Sequence, residues 1–131
     1  MMEYRHEVQI YYEDTDLSGV VYHANYLKYF ERAREHLIGP EELVRLWDVE
    51  GIGFVVYHAE LTFKEGARLG DRITIRTRVE LESRYRAIFH QDVWRPEGTT
   101  PAVLGMVQLV CVDRHGRLVP LPETVVATLE R

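Results

Sequence analysis

One stretch of this chain, and only one of any length, carries a helical period. Between Ala24 and Ile38, the residues Tyr26, Phe30, Ala33 and Leu37 recur at spacings of four, three and four, forming one stripe down a helix. Leu27 and Ile38 widen the stripe, and Lys28, Glu31, Arg32, Arg34 and Glu35 mark the side predicted to face solvent. Much of the remainder alternates with period two. A lone helix with a broad aromatic face has to bury it, and the surface available is a sheet. The chain is therefore expected to be α+β in two layers, with an antiparallel sheet of five strands covering one long helix.

The strands are read in order. Arg5 to Tyr12 alternates, with Val8, Ile10 and Tyr12 on one side. After the long helix, Gly39-Pro40 is a stop. Pro40 to Trp47 reads as a second, short helix, with proline at an allowed first position and Glu41 and Glu42 facing the positive end of the dipole. Strands follow at Phe54–Phe63, Arg72–Glu82, Tyr85–Trp94 and Ala102–Val112, and Pro122 to Arg131 reads as a terminal helix. Arg72 to Glu82 alternates cleanly, with Ile73, Ile75, Thr77, Val79 and Leu81 on one face. The short connections predict an antiparallel meander. No repeat or linker interrupts residues 1–131, which read as one domain.

The net charge of −5 argues against a general nucleic-acid binder, which needs a basic footprint. It leaves room for an anionic small ligand at a local basic patch. A single cysteine, Cys111, excludes an internal disulfide, and its apolar strand makes it a core residue. No apolar run approaches the ~20 residues of a membrane span, and the N-terminus lacks a signal-peptide core. The cytoplasm is the expected location. No metal is expected, because no His, Cys or acidic spacing matches a ligand set.

Between the first strand and the long helix runs Tyr11-Tyr12-Glu13-Asp14-Thr15-Asp16-Leu17-Ser18-Gly19-Val20-Val21-Tyr22-His23-Ala24-Asn25-Tyr26. Asp14, Asp16, Ser18 and Gly19 are turn formers. His23 or Asn25 stands where a helix cap is needed. By itself, Asp-x-Asp in a loop is usually turn or cap chemistry. Ser18 lacks the Gly-x-Ser-x-Gly setting of a serine hydrolase.

From Tyr12 to Tyr26 the segment closely resembles the signature of the 4-hydroxybenzoyl-CoA thioesterase branch of the hotdog superfamily. It is most similar to the short bacterial acyl-CoA thioesterases associated with the Tol-Pal system. The match is dense from Tyr11 to about Arg34 and generic beyond. The resemblance implies the hotdog fold, a curved antiparallel sheet around one central helix, and hydrolysis of an acyl-CoA to free acid and CoA without a cofactor. It assigns the catalytic carboxylate to Asp16, as nucleophile or general base. The physical requirements are an activated attacking group and a donor for the developing oxyanion. The His23 backbone N–H, at the start of a helix, is the donor expected; its imidazole either contacts substrate or caps the helix. Asp14 is assigned to loop structure or support of Asp16, and Glu31 is a distant second candidate acid.

A CoA thioester needs cationic contacts. The resemblance places them at Ser83, Arg84 and Arg86, in the turn between two strands; Lys64 and Arg68 in a neighbouring turn are alternatives. The acyl pocket is expected among Tyr26, Tyr29, Phe30 and Val55. The family implies a homodimer or homotetramer with sites at the subunit interface, completed by the strand around Val55 to Ala59. Two other functions fit a hotdog domain. One is a hydratase or dehydratase, which needs an acid and histidine closer together than Asp16 and His23. The other is a non-catalytic module binding acyl-CoA or acyl carrier protein.

Overall fold

The computed structural model describes residues 2–131. Five long strands, β1 (Glu3–Gln9), β2 (Gly53–Phe63), β3 (Arg72–Leu81), β4 (Arg86–Trp94) and β5 (Val103–Val112), form an antiparallel sheet, extended by the two-residue β6 (Leu118–Val119). The long helix α1 spans Asn25–Ile38, with α2 at Pro40–Arg45 and α3 at Glu123–Leu129. This is the hotdog architecture expected: α1 lies against one face of the sheet.

The burial of β3, β4 and β5 explains why. On β4, Ala87, Phe89, Gln91 and Val93 are buried and their alternates are half-buried. The same alternation holds for Ile73, Ile75, Thr77 and Val79 on β3 and for Val103, Val107 and Cys111 on β5. The apolar residues among them meet Tyr26, Tyr29, Phe30 and Ala33 of α1 in one hydrophobic cluster. Gly105 of β5 is required at the centre. A Cβ there would lie 2.5 Å from Phe30 Cε2 and 2.7 Å from the Gln91 carbonyl oxygen, so the aromatic ring rests on bare backbone. Burying a ring of this size contributes about 2–3 kcal/mol.

Several expectations are corrected. The strand expected at Arg5–Tyr12 runs instead from Glu3 to Gln9. His6 joins Val8 and Ile10 on the inner side, whereas Tyr12 leaves it. The cause is Asp14, whose Oδ2 accepts the Tyr11 N–H at 2.7 Å and draws Tyr12–Asp14 into a 3-10 turn. Neither His23 nor Asn25 caps α1. The capping position is Ala24, without a side-chain bond, and the Asn25 amide donates to the Asp14 carbonyl at 3.0 Å. Arg34 is inside rather than on the solvent side, and Leu27 is exposed. The second helix ends at Arg45 and gives way to a π turn at Leu46–Glu50, closed by Gly51.

The meander holds only for β3, β4 and β5. The sheet order is β1-β3-β4-β5-β2, so the chain crosses from one edge to the other between β1 and β2, by way of α1, and re-enters the sheet at the inner strand β3. β2 pairs antiparallel with β5, with a register shift between Val56 and His58. Its other side is unpaired among the described residues, and Val55, Val56 and Tyr57 are exposed there.

Candidate active site

The loop before α1 folds as a small hairpin. Thr15 bridges Val21, and Val20 bridges Arg68 of the β2–β3 connection. The Asp16 N–H donates to the Val20 carbonyl at 2.9 Å, and the Gly19 N–H donates to the Asp16 carbonyl at 3.0 Å. Gly19 takes φ +82°, a conformation costly for residues with a Cβ. The hairpin is anchored where Val21 N–H reaches the Ala67 carbonyl at 2.8 Å and where Ala67 N–H donates to the buried Tyr26 hydroxyl at 3.1 Å. The Asp14 carbonyl accepts from both Tyr22 N–H, at 2.9 Å, and Asn25. Asp14 is thus a structural residue at both its backbone and its carboxylate.

At the tip, Asp16 is exposed to solvent and its Oδ1 accepts two bonds from Ser18, one from the amide at 2.9 Å and one from the hydroxyl at 2.6 Å. The hydroxyl first, and the amide next, hold the Asp16 pKa below the usual carboxylate value. The nearby His23 adds to the same effect. At neutral pH the group is therefore an ionised carboxylate.

Asp16, Val20, His23, Tyr26, Phe63 and Lys64 line one cleft of about 280 Å³. The His23 ring meets the Phe63 ring edge-on, with centroids 6.0 Å apart. Neither the His23 nor the Ala24 amide donates to a protein acceptor among the described residues, whereas Asn25 N–H bonds the Tyr22 carbonyl at 2.9 Å. The start of α1 thus leaves donors and partial positive charge beside the cleft. Tyr29 lies behind this wall, fully buried, and its hydroxyl has no hydrogen-bond partner. Burial first, and the Asp14 charge second, raise its pKa; Asp14 acts on it through charge and not in hydrogen-bond geometry.

The structure therefore gathers Asp16, His23 and Lys64 at one end of the sheet. It does not bring Ser83, Arg84 and Arg86 there. Those residues lie at or beside the β3–β4 turn, and Asp16 lies at the other end, beyond the β2–β3 connection. The nine residues of β4 alone span about 26 Å. Ser83 and Arg84 line a separate groove against α3 with Leu121, Glu123 and Val126. Arg86 lies over the Tyr57 ring at 4.6 Å and within 3.7 Å of Glu82. Phe63 and Val20, as cleft walls, were not anticipated from the sequence. The signal was faint, since Phe63 reads only as the last residue of an alternating strand. Arg68 pairs with Val20 beside the cleft without lining it, and its backbone N–H donates to Asp71 Oδ2 at 2.9 Å. Arg95 Nε reaches the same oxygen at 2.9 Å and braces the connection against the end of β4.

Comparison with known proteins identifies the frame. The thioesterase-like superfamily matches residues 11–129. The acyl-CoA thioester hydrolase YbgC of Escherichia coli O6:H1 is 33% identical over 131 aligned residues, covering 98% of this chain and 96% of that protein. A probable thioesterase from Bartonella henselae superposes with a TM-score of 0.84 at 32% identity, covering 92% of this chain and 100% of the other. A 1,4-dihydroxy-2-naphthoyl-CoA thioesterase from Synechocystis shares the fold, with a TM-score of 0.89 at 24% identity over 98% of this chain and 96% of that one. The family match runs through the loop, α1 and strands β2 to β6, well over half of the sequence, and the chain belongs to the thioesterase-like superfamily.

Proposed function

We propose that the protein hydrolyses the thioester of an acyl-CoA to free acid and CoA, with Asp16 as the reacting carboxylate and the His23 amide as the oxyanion donor. One observation carries the reading: an ionised carboxylate and the unpaired amides that open a helix border the same apolar-walled cleft. In the general-base form, Asp16 takes a proton from water as the oxygen attacks the carbonyl carbon. The oxyanion accepts a hydrogen bond from His23 N–H, the C–S bond breaks, and the proton passes to the leaving thiolate. In the nucleophilic form, Asp16 attacks directly, CoA leaves, and water hydrolyses the resulting anhydride. Either way one backbone donor is worth roughly 3 kcal/mol of barrier. Val20, Tyr26 and Phe63 would receive the acyl group, and Lys64 would meet negative charge on the CoA.

The Ser83–Arg86 turn fits the nucleotide of a CoA whose thioester lies at Asp16 of another copy. The unpaired β2 edge, with Val55, Val56 and Tyr57 exposed, supports that assembly as a homodimer or homotetramer. The dense match from Tyr11 to Arg34 supports membership of the 4-hydroxybenzoyl-CoA thioesterase branch, near the Tol-Pal-associated enzymes. No helix among the described residues is long and apolar enough to cross a membrane, and a cytoplasmic site of action accords with acyl-CoA as substrate.

The test is thiol release from short-chain, long-chain and aromatic acyl-CoAs. Asp16→Asn should lower kcat by roughly 10³-fold while leaving the circular dichroism spectrum unchanged. Wild-type turnover in that variant would remove Asp16 from the reaction. Tight acyl-CoA binding without thiol release would favour the binding-module reading.

A further inference from the structure

Asp16 sits at a tip with nothing apolar to hold it. Leu17 beside it is fully exposed, and Ser18 and Gly19 are exposed too. Packing therefore does not choose the rotamer of the Asp16 side chain. Two hydrogen bonds do, both from Ser18 and both to Oδ1. An amide bond alone would make an ordinary turn of the kind aspartate forms with the residue two positions on. The hydroxyl at 2.6 Å is an additional donor, at the length expected of O–H···O⁻ bonds to a charged acceptor. No donor from another residue reaches Oδ2 among the described residues.

We propose that Ser18 is a positioning residue for catalysis: it grips Oδ1 with hydroxyl and amide together, fixes the carboxylate plane, and leaves Oδ2 as the oxygen presented to water or to the thioester carbonyl. The proposal rests on the reading of Asp16 as the reacting group. Ser18 itself touches no substrate. Its hydroxyl proton is committed to Asp16, so the residue acts through the carboxylate. Fixing the side chain matters because an attacking oxygen has to meet the carbonyl carbon within a narrow range of distance and angle. The same bonds favour the charged form of Asp16, which keeps the base or nucleophile available as the pH falls.

The experiment compares wild type, Ser18→Ala and Ser18→Thr in two measurements. The first is kcat and KM across pH, with the best acyl-CoA from the thiol-release survey. The second is the titration of the Asp16 carboxyl carbon by NMR in protein labelled with ¹³C-aspartate, assigned through Asp16→Asn. Ser18→Ala should lower kcat by about tenfold with KM changed by less than about twofold, since only transition-state alignment is lost. Its acidic limb and its Asp16 titration should both move to higher pH, and Ser18→Thr should restore both. Equal rates and equal titrations in wild type and Ser18→Ala would overturn the proposal. So would a loss in Ser18→Ala as complete as in Asp16→Asn, which would make the serine a reacting group. A wild-type protein inactive on every acyl-CoA would sink the parent reading and the catalytic role with it; the titration would then show separately whether Ser18 grips the carboxylate.

Discussion

Gln91 has no exposed surface, yet it is flanked on its face of β4 by Phe89 and Val93. Its oxygen accepts from Arg34 Nη1 at 2.9 Å, and its amide donates to the Phe30 carbonyl at 3.0 Å and to Thr77 Oγ1 at 3.2 Å. One side chain thus ties α1 to β3 and β4. Burial lowers the Arg34 pKa to about 10, with Glu31 acting in the opposite direction. The guanidinium stays charged at neutral pH and depends on Gln91 for a buried acceptor. Gln91→Ala should therefore cost roughly 3 kcal/mol, read as a lower urea midpoint at unchanged slope. The sequence hid this arrangement. A charged residue on a helix is placed outside by default, and the acceptor that overrides the default lies 57 residues away. The turn at Asp16 was legible for the opposite reason: its partners, Ser18 and Gly19, lie only two and three residues along the chain.

At the level of elements, helix and strand positions followed the two hydrophobic periods closely, and the errors fell at their ends. β1 stops early because Asp14 competes for the Tyr11 amide, a contact no period reveals. β6 escaped notice because two residues, Leu118 and Val119, are too few to show alternation. The inner face of β1 also carries a polar surprise. The His6 and His36 rings stack with centroids 4.6 Å apart, joining β1 to α1. Burial first, then His36 and Arg32, lowers the His6 pKa from 6.5. Arg5 and Arg131 border the same groove, so its charged side chains are basic. A lowered histidine pKa means the native state refuses a proton that the unfolded chain accepts. His6 should therefore leave stability unaffected well above pH 6.5 and reduce it as the pH falls from 6.5 towards the native pKa. Urea midpoints measured from pH 7.5 down to 5.0 should show this slope, and His6→Phe should flatten it.

At the scale of the whole molecule, the layers were legible but the strand order was not. Hydrophobic alternation says which residues face the helix. It says nothing about which edge receives β2, because that depends on pairing with β5 rather than on any local pattern. The result puts an exposed, apolar strand at one border of the sheet. Val56→Lys would place a charge in that border, and the proposed assembly should then sediment as a monomer while the chain stays folded. A wild-type monomer would refute the assembly itself.

The separation of Asp16 from the Ser83–Arg86 turn along β4 has one more consequence. If the carbonyl and the adenosine phosphates of a single substrate are held by different copies, then thioesters lacking the nucleotide, such as acyl-pantetheines, should be cleaved at a rate per subunit indifferent to dilution. Full acyl-CoA should lose its affinity advantage as the copies part.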